Sequence, residues 1–214
     1  NSGTGFIVSY DGHIVTNEHV VNNCKRIIIT GAVSDRLATL IHTNHEYDLA
    51  LLQIDGSVPD VADLRDDGQP IAAGEEVVIV GYPGEAAKER RTVTREAKII
   101  NPKGPRGEDK WIELDDVIQQ GNSGGALLDT SGNVVGVVAA KATIYTYPVD
   151  DPRAGSTRNS GIAVSLPVLK DFLSGNSVRY REEASDSYLS ASHVTDMASR
   201  FMVNVRCEYK TEGQ

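Results

Sequence analysis

Short β-rich runs punctuated by glycine, proline, asparagine and aspartate leave this chain few folds to choose from. They cover Gly5 to Tyr10, His13 to Thr16, Arg26 to Thr30, Leu37 to Thr43, Leu49 to Ile54, Glu76 to Tyr82, Thr92 to Asn101 and Lys110 to Leu114. They continue with Ala126 to Leu128, Val134 to Ala140, Ala142 to Tyr147 and Gly161 to Ser165. The residues between them, such as Asp11-Gly12, Pro83-Gly84 and Ser131-Gly132-Asn133, are the types that turn a chain back on itself. This spacing predicts an antiparallel all-β protein, either barrel or sandwich. Helix signals are confined to the end, where Pro167 followed by Val168, Leu169, Phe172 and Leu173 predicts a short amphipathic helix ended by Gly175. The low-apolar stretch Asp55 to Gly74, with Asp60, Asp63, Asp66 and Asp67 between Pro59 and Pro70, reads as a connector between two halves.

Chemistry concentrates in Gly121-Asn122-Ser123-Gly124-Gly125. A small hydroxyl flanked by glycines lets backbone N–H groups approach a reacting carbonyl, which makes Ser123 a candidate nucleophile with its own oxyanion hole. A serine hydroxyl needs a base to take its proton, and the base needs a third group to hold its tautomer. Both stand upstream: His19 in Thr16-Asn17-Glu18-His19-Val20-Val21, and Asp48 at the head of the run Asp48-Leu49-Ala50-Leu51-Leu52. The same five residues also satisfy G-x-S-x-G, the nucleophile elbow of α/β-hydrolases, in which acid and histidine follow the serine and a helix follows directly. Here His193 is the lone histidine after Ser123, and Ala126-Leu127-Leu128 leads to a Ser-Gly-Asn turn and a second β-run. That reading fails on order and on local structure.

Composition narrows the classes further. With 214 residues, 40% hydrophobic content and no apolar run long enough to span a bilayer, the chain reads as globular, without a transmembrane helix. A net charge of −9 disfavours nucleic acid as a partner, because phosphate binding needs clustered Lys and Arg. Lys88, Arg90 and Arg91 form a short basic patch, read as a solvated loop face. Cys24 and Cys207 are too few for a disulfide framework, leave the redox compartment open and can stand as free thiols. His42 and His45, three apart on an extended segment, point to opposite faces, so no metal site is expected. The start at Asn1-Ser2-Gly3 reads as the middle of a fold, as in a processed or trimmed chain.

Taken together, these residues resemble the trypsin-like serine peptidases, and within them the HtrA/Deg type. The blocks that carry the resemblance run from Ser2-Gly3-Thr4-Gly5-Phe6 through Thr16-Asn17-Glu18-His19-Val20-Val21, Asp48-Leu49-Ala50-Leu51-Leu52 and Gly81-Tyr82-Pro83 to Gly121-Asn122-Ser123-Gly124-Gly125 and Gly161-Ile162-Ala163-Val164-Ser165-Leu166-Pro167. The resemblance implies two antiparallel six-stranded β-barrels. Residues 1–66 would form the first barrel with His19 and Asp48, residues 67–176 the second with Ser123, and residues 177–214 an extension of uncertain role. It implies His19 as general base, Asp48 as its orienting carboxylate, Ser123 as nucleophile, and the N–H groups of Gly121 and Ser123 as oxyanion hole. Asp115 resembles a structural aspartate that orders the oxyanion loop. No cofactor is implied.

A substrate pocket lined by Val117, Ala139, Ala140 and Ala163, with no buried acid in it, implies cleavage after small or medium aliphatic residues of a protein or peptide. The family also suggests a homo-oligomer and a periplasmic or otherwise extracytoplasmic location. No PDZ domain follows the protease unit, and the chain begins where the family's second strand would start, which leaves the first barrel one strand short. Unpaired strand edges call for a partner. Phe201 to Tyr209 alternates apolar and polar residues as a half-buried strand does, and Ser187 to Ser199 could form a short helix, so this extension is a candidate to dock on the protease body, the open edge included, or on a neighbouring subunit, the alternative being a fragment of a truncated further domain. The competing function is a catalytically silent binding module that keeps the peptidase fold.

Overall fold

The computed structural model describes residues 2–116, 118–146 and 156–209. In chain order the elements are β1 (Ser2–Ile7), β2 (His13–Thr16), α1 (Glu18–Val21), β3 (Cys24–Gly31), β4 (Arg36–Asn44), β5 (Leu49–Ile54), β6 (Asp63–Arg65), β7 (Glu76–Gly81) and α2 (Gly84–Lys88). There follow β8 (Val93–Asn101), β9 (Trp111–Leu114), β10 (Ala126–Asp129), β11 (Val134–Thr146), β12 (Ser156–Ser165), α3 (Leu166–Gly175), β13 (Arg181–Glu183), α4 (Ala191–Ala198) and β14 (Met202–Tyr209). The first barrel closes in the order β1-β14-β3-β4-β5-β2. The second runs β10-β7-β8-β9-β12-β11 and closes by pairing β11 with β10. Both are antiparallel six-stranded barrels, as the resemblance implies.

Alternation of side chains along a strand explains how the second barrel can have two apolar faces. Val77, Ile79, Ile99, Ile112, Leu127, Val135 and Val138 fill its interior. Their neighbours Val78, Val80, Ala126, Leu128, Val134 and Val137 point the other way, into a core shared with Phe6, Val15, Leu51 and Val205 of the first barrel. Strands covered on both sides need continuous apolar runs, which is why Val77 to Val80 and Val134 to Val138 read as they do.

The strand expected over Phe201 to Tyr209 inserts between β1 and β3. β14 pairs antiparallel with β1 from Ser2↔Arg206 to Phe6↔Met202, and with β3 from Val203↔Gly31 to Tyr209↔Cys24. The last described strand is therefore a stave of the first barrel. Cys24 and Cys207 are not free thiols: they are joined as a disulfide between β3 and β14, with Cα atoms 5.3 Å apart across 183 residues of sequence. Adjacent strands bring the two cysteines within bonding reach, a juxtaposition that neither local pattern announces.

The stretch read as a connector also carries structure. β6 pairs parallel with β11 and with β13, and Val58, Val61, Ala62 and Leu64 are buried. Arg65 is buried with its Nε 2.8 Å from Asp129 and its Nη2 on Glu75. The segments expected over Val134 to Ala140 and Ala142 to Tyr147 form one strand as far as Thr146, with a bulge between Val138 and Ala140; Tyr147 lies outside the described residues.

Candidate active site

The chain leaves β2 at Thr16 and makes a single turn of helix. Val20 and Val21 are buried in the core shared by the barrels, so on so short a turn Glu18 and His19 are turned outward. Asp48, at the entry to β5, fastens that turn from the side. Its carbonyl accepts from the Glu18 N–H at 3.1 Å and from Asn17 Nδ2 at 2.7 Å. Its carboxylate accepts from the His19 N–H at 2.9 Å and meets the ring Nδ1 of the same residue at 2.6 Å. One carboxylate thus holds both the backbone and the ring of His19, which fixes the rotamer and places a proton on Nδ1, leaving Nε2 as the basic nitrogen. Asp48 adopts φ 52°, a left-handed conformation that aspartate tolerates better than most residues.

Electrostatics follow from that contact. The hydrogen bond to Asp48 raises the His19 pKa above the ordinary histidine value of 6.5, against the opposing effect of partial burial. The imidazolium formed when His19 takes a proton is the species that the carboxylate favours.

Ser123 comes to this place through the backbone. Its carbonyl accepts from the Thr4 N–H at 2.9 Å, which ties it to β1. Gly124, at φ 85°, passes so close to the first barrel that a Cβ there would lie 2.8 Å from the Asn17 nitrogen, besides striking Thr16 and Thr4. Gly121, at φ 101°, is equally hemmed in, since a Cβ would lie 2.8 Å from Pro83 Cα. Both are positions that only glycine fills without strain. Among the described residues, the N–H groups of Gly121 and Ser123 donate to no protein acceptor.

No motif marks Thr4, yet Thr4 sets the loop. It is fully buried. Its Oγ1 donates to the Gly121 carbonyl at 2.6 Å and accepts from the Tyr82 N–H at 2.9 Å, while its carbonyl accepts from Thr16 Oγ1 at 2.7 Å. Every polar atom of one threonine is spent joining β1, β2, β7 and the loop ahead of Ser123. A lone threonine in a strand carries no signature of this; what could have shown it is the glycine on either side, which lets other backbones approach. At the other end of the loop, Asp115 Oδ1 accepts from the Lys98 N–H at 2.7 Å, and Asp116 is paired with Arg95.

Of the pocket residues, Ala139 and Ala163 are buried on the paired strands β11 and β12. Ala163 packs among the residues of the second barrel's interior, and Ala139 belongs to the shared core. The backbone of Ala140 pairs with Ile162; Val117 lies outside the described residues.

Comparison with known proteins agrees with this geometry. A sequence profile of the trypsin-like peptidase domain matches residues 3–137. An uncharacterized protein of Sinorhizobium fredii, y4bJ, is 30% identical over 97% of this chain and 32% of its own length. A probable periplasmic DegP-like serine endoprotease of Pseudomonas fluorescens is 35% identical over 79% of this chain and 33% of its own, and the mouse serine protease HTRA4 is 35% identical over 67% and 30%. The chain thus spans about a third of the length of these relatives. Among solved structures, a serine endoprotease from Yersinia pestis superposes with a TM-score of 0.63 at 25% identity, over 81% of this chain and 56% of that one. The HtrA-type protease AlgW with decapeptide gives 0.63 at 27% identity, over 81% and 50%. Two barrels meeting at a histidine, an aspartate and a glycine-flanked serine, under a profile that covers well over half of the sequence, place this chain in the trypsin-like peptidase family, with relatives of the HtrA/Deg type.

Proposed function

We propose that this chain is a serine endopeptidase that hydrolyses peptide bonds through an acyl-enzyme on Ser123. The observation that carries the reading is the Asp48 clamp, which holds the His19 ring by Nδ1 at 2.6 Å and leaves Nε2 to act as base. In the first step His19 Nε2 takes the Ser123 proton as the hydroxyl oxygen bonds to the scissile carbon. The carbonyl oxygen gains the negative charge and is met by the N–H groups of Gly121 and Ser123. The C–N bond then breaks and the amine leaves with the proton from His19. Water, activated by the same imidazole, hydrolyses the ester. Each oxyanion donor is worth about 10²- to 10³-fold in rate and general acid–base help about 10²- to 10⁴-fold.

Two finer features belong to the same proposal. Cleavage after small or medium aliphatic residues rests on the resemblance, since Ala139 and Ala163 pack within the shared core and the second barrel's interior; a peptide-library profile dominated by Arg, Lys or Glu before the scissile bond overturns it. An oxidising, extracytoplasmic compartment is supported by the Cys24–Cys207 disulfide and by the periplasmic description of a DegP-like relative.

A fluorophosphonate probe tests the central reading, because it reacts at an activated serine without needing a peptide. Labelling of Ser123 that vanishes in Ser123→Ala is the expected result. Absence of labelling under conditions where the protein is folded points instead to a silent binding module.

A further inference from the structure

A cavity of about 650 Å³ opens beside Gln120 and Gly121, and its remaining walls are α2 with the turn after it, β3 and the N-terminal end of β1, and the outward face of β14. Among the described residues, none of its lining comes from β11 or β12, the strands that carry Ala139 and Ala163. Gly121 therefore stands between this cavity and the proposed acyl-side pocket. A polypeptide whose scissile oxygen sits on the Gly121 N–H has its acyl part toward β11 and β12, and its amine part has to leave the other way. The cavity lies in that path.

The charged side chains of its lining are mostly basic. The chain carries −9 overall, yet among the described residues the wall presents Lys88, Arg90 and Arg206 with Glu208 as its one acid. Each cation is largely exposed and has a protein partner: Lys88 with Glu85, Arg90 with Asp35, and Arg206 with Glu208 at 3.8 Å. Exposed pairs of this kind are worth about 0–1 kcal/mol, so an incoming carboxylate can replace them at little cost.

From these observations, and resting on the reading of Ser123 as nucleophile, we infer that the cavity is a subsite for the amine side of the substrate, and that it favours acidic side chains in the first few positions after the scissile bond. Lys88 and Arg206 are its specificity-determining residues. Arg206 comes from β14, so the extension that closes the first barrel also takes part in substrate choice.

The test uses fluorescently labelled peptides identical before the scissile bond and carrying Glu, Lys or Ala in the three positions after it. Binding is measured to the Ser123→Ala protein, and kcat/KM to the wild type. The expected result is tighter binding and faster cleavage of the Glu peptide than the Lys peptide by about 5- to 10-fold, with the gap narrowing at high salt. In Lys88→Glu/Arg206→Glu, with an unchanged near-ultraviolet circular dichroism spectrum, the order reverses. Equal affinities for the peptides, or a Glu-to-Lys ratio that the double variant leaves unmoved, overturn the inference. Failure of the separate reading shows differently, as absence of fluorophosphonate labelling in the wild type, and the affinity ratio still decides the subsite in that case.

Discussion

The two banks of the cleft are built on opposite plans. On the first barrel, the His19–Asp48 pair is held by residues of one short turn and one strand entry, all within the same barrel. On the second, the loop before Ser123 is held by its neighbour, since Thr4 of β1 donates to the Gly121 carbonyl and to the Ser123 carbonyl. The proposed base is organised locally, whereas the proposed nucleophile and its oxyanion donors depend on how the barrels meet. Damage to the base side should thus alter proton chemistry alone, and damage to the interface should alter the nucleophile's surroundings and leave the imidazole as it was.

Ser123→Ala sets the scale of that comparison, with an expected loss of about 10⁶-fold in kcat and a melting temperature close to wild type, because a half-buried hydroxyl is all that is removed. Asp48→Asn comes next, at about 10⁴-fold. It also has a signature in pH. His19 acts as base only when neutral, and its pKa is raised chiefly by Asp48, so the acid limb of kcat/KM lies above the ordinary histidine value. Without the carboxylate that limb moves to lower pH, and a profile that stays in place contradicts the assignment of Asp48 as the orienting group.

Thr4→Val is the test of the other bank. It leaves the Gly121 carbonyl and the Tyr82 N–H without their partner, at a cost of about 1–3 kcal/mol per buried group. Denaturant melts should register that loss, and kcat should fall by about 10- to 100-fold while the acid limb keeps its position. A shifted limb in this variant means that the two banks are not independent. The smallest expected effect on chemistry comes from Cys207→Ser, which at a temperature where the protein stays folded leaves kcat within a few-fold of wild type. Its stability falls by up to about 5 kcal/mol in the chain-entropy account of a loop of 183 residues.

How much of this could be read from the residues depends on the distance over which each feature is decided. The strand runs were legible because alternation and turn chemistry act locally. His19, Asp48 and Ser123 could be nominated because each sits in a distinctive short context. The position of β14 was open, because Phe201 to Tyr209 alternates as any half-buried strand does and register with Ser2 to Phe6 is settled only in three dimensions. Cys24 and Cys207 posed the same problem, since two thiols pair only if the fold brings them together. β6 was hidden for another reason. Asp63-Leu64-Arg65 is too short and too charged to look like a strand, and its place is secured by the buried contacts of Arg65 with Asp129 and Glu75.

One consequence of the last stave concerns timing. A ribosome delivers residues in order, at about 5–20 per second, and β1 lacks one of its two neighbours until Met202 to Tyr209 has emerged. Thr4 lies on that waiting strand, so the loop around Ser123 gains its finished support only after Tyr209 has been made. On the reading of Ser123 as nucleophile, the order of synthesis holds back cutting until this last stave is in place.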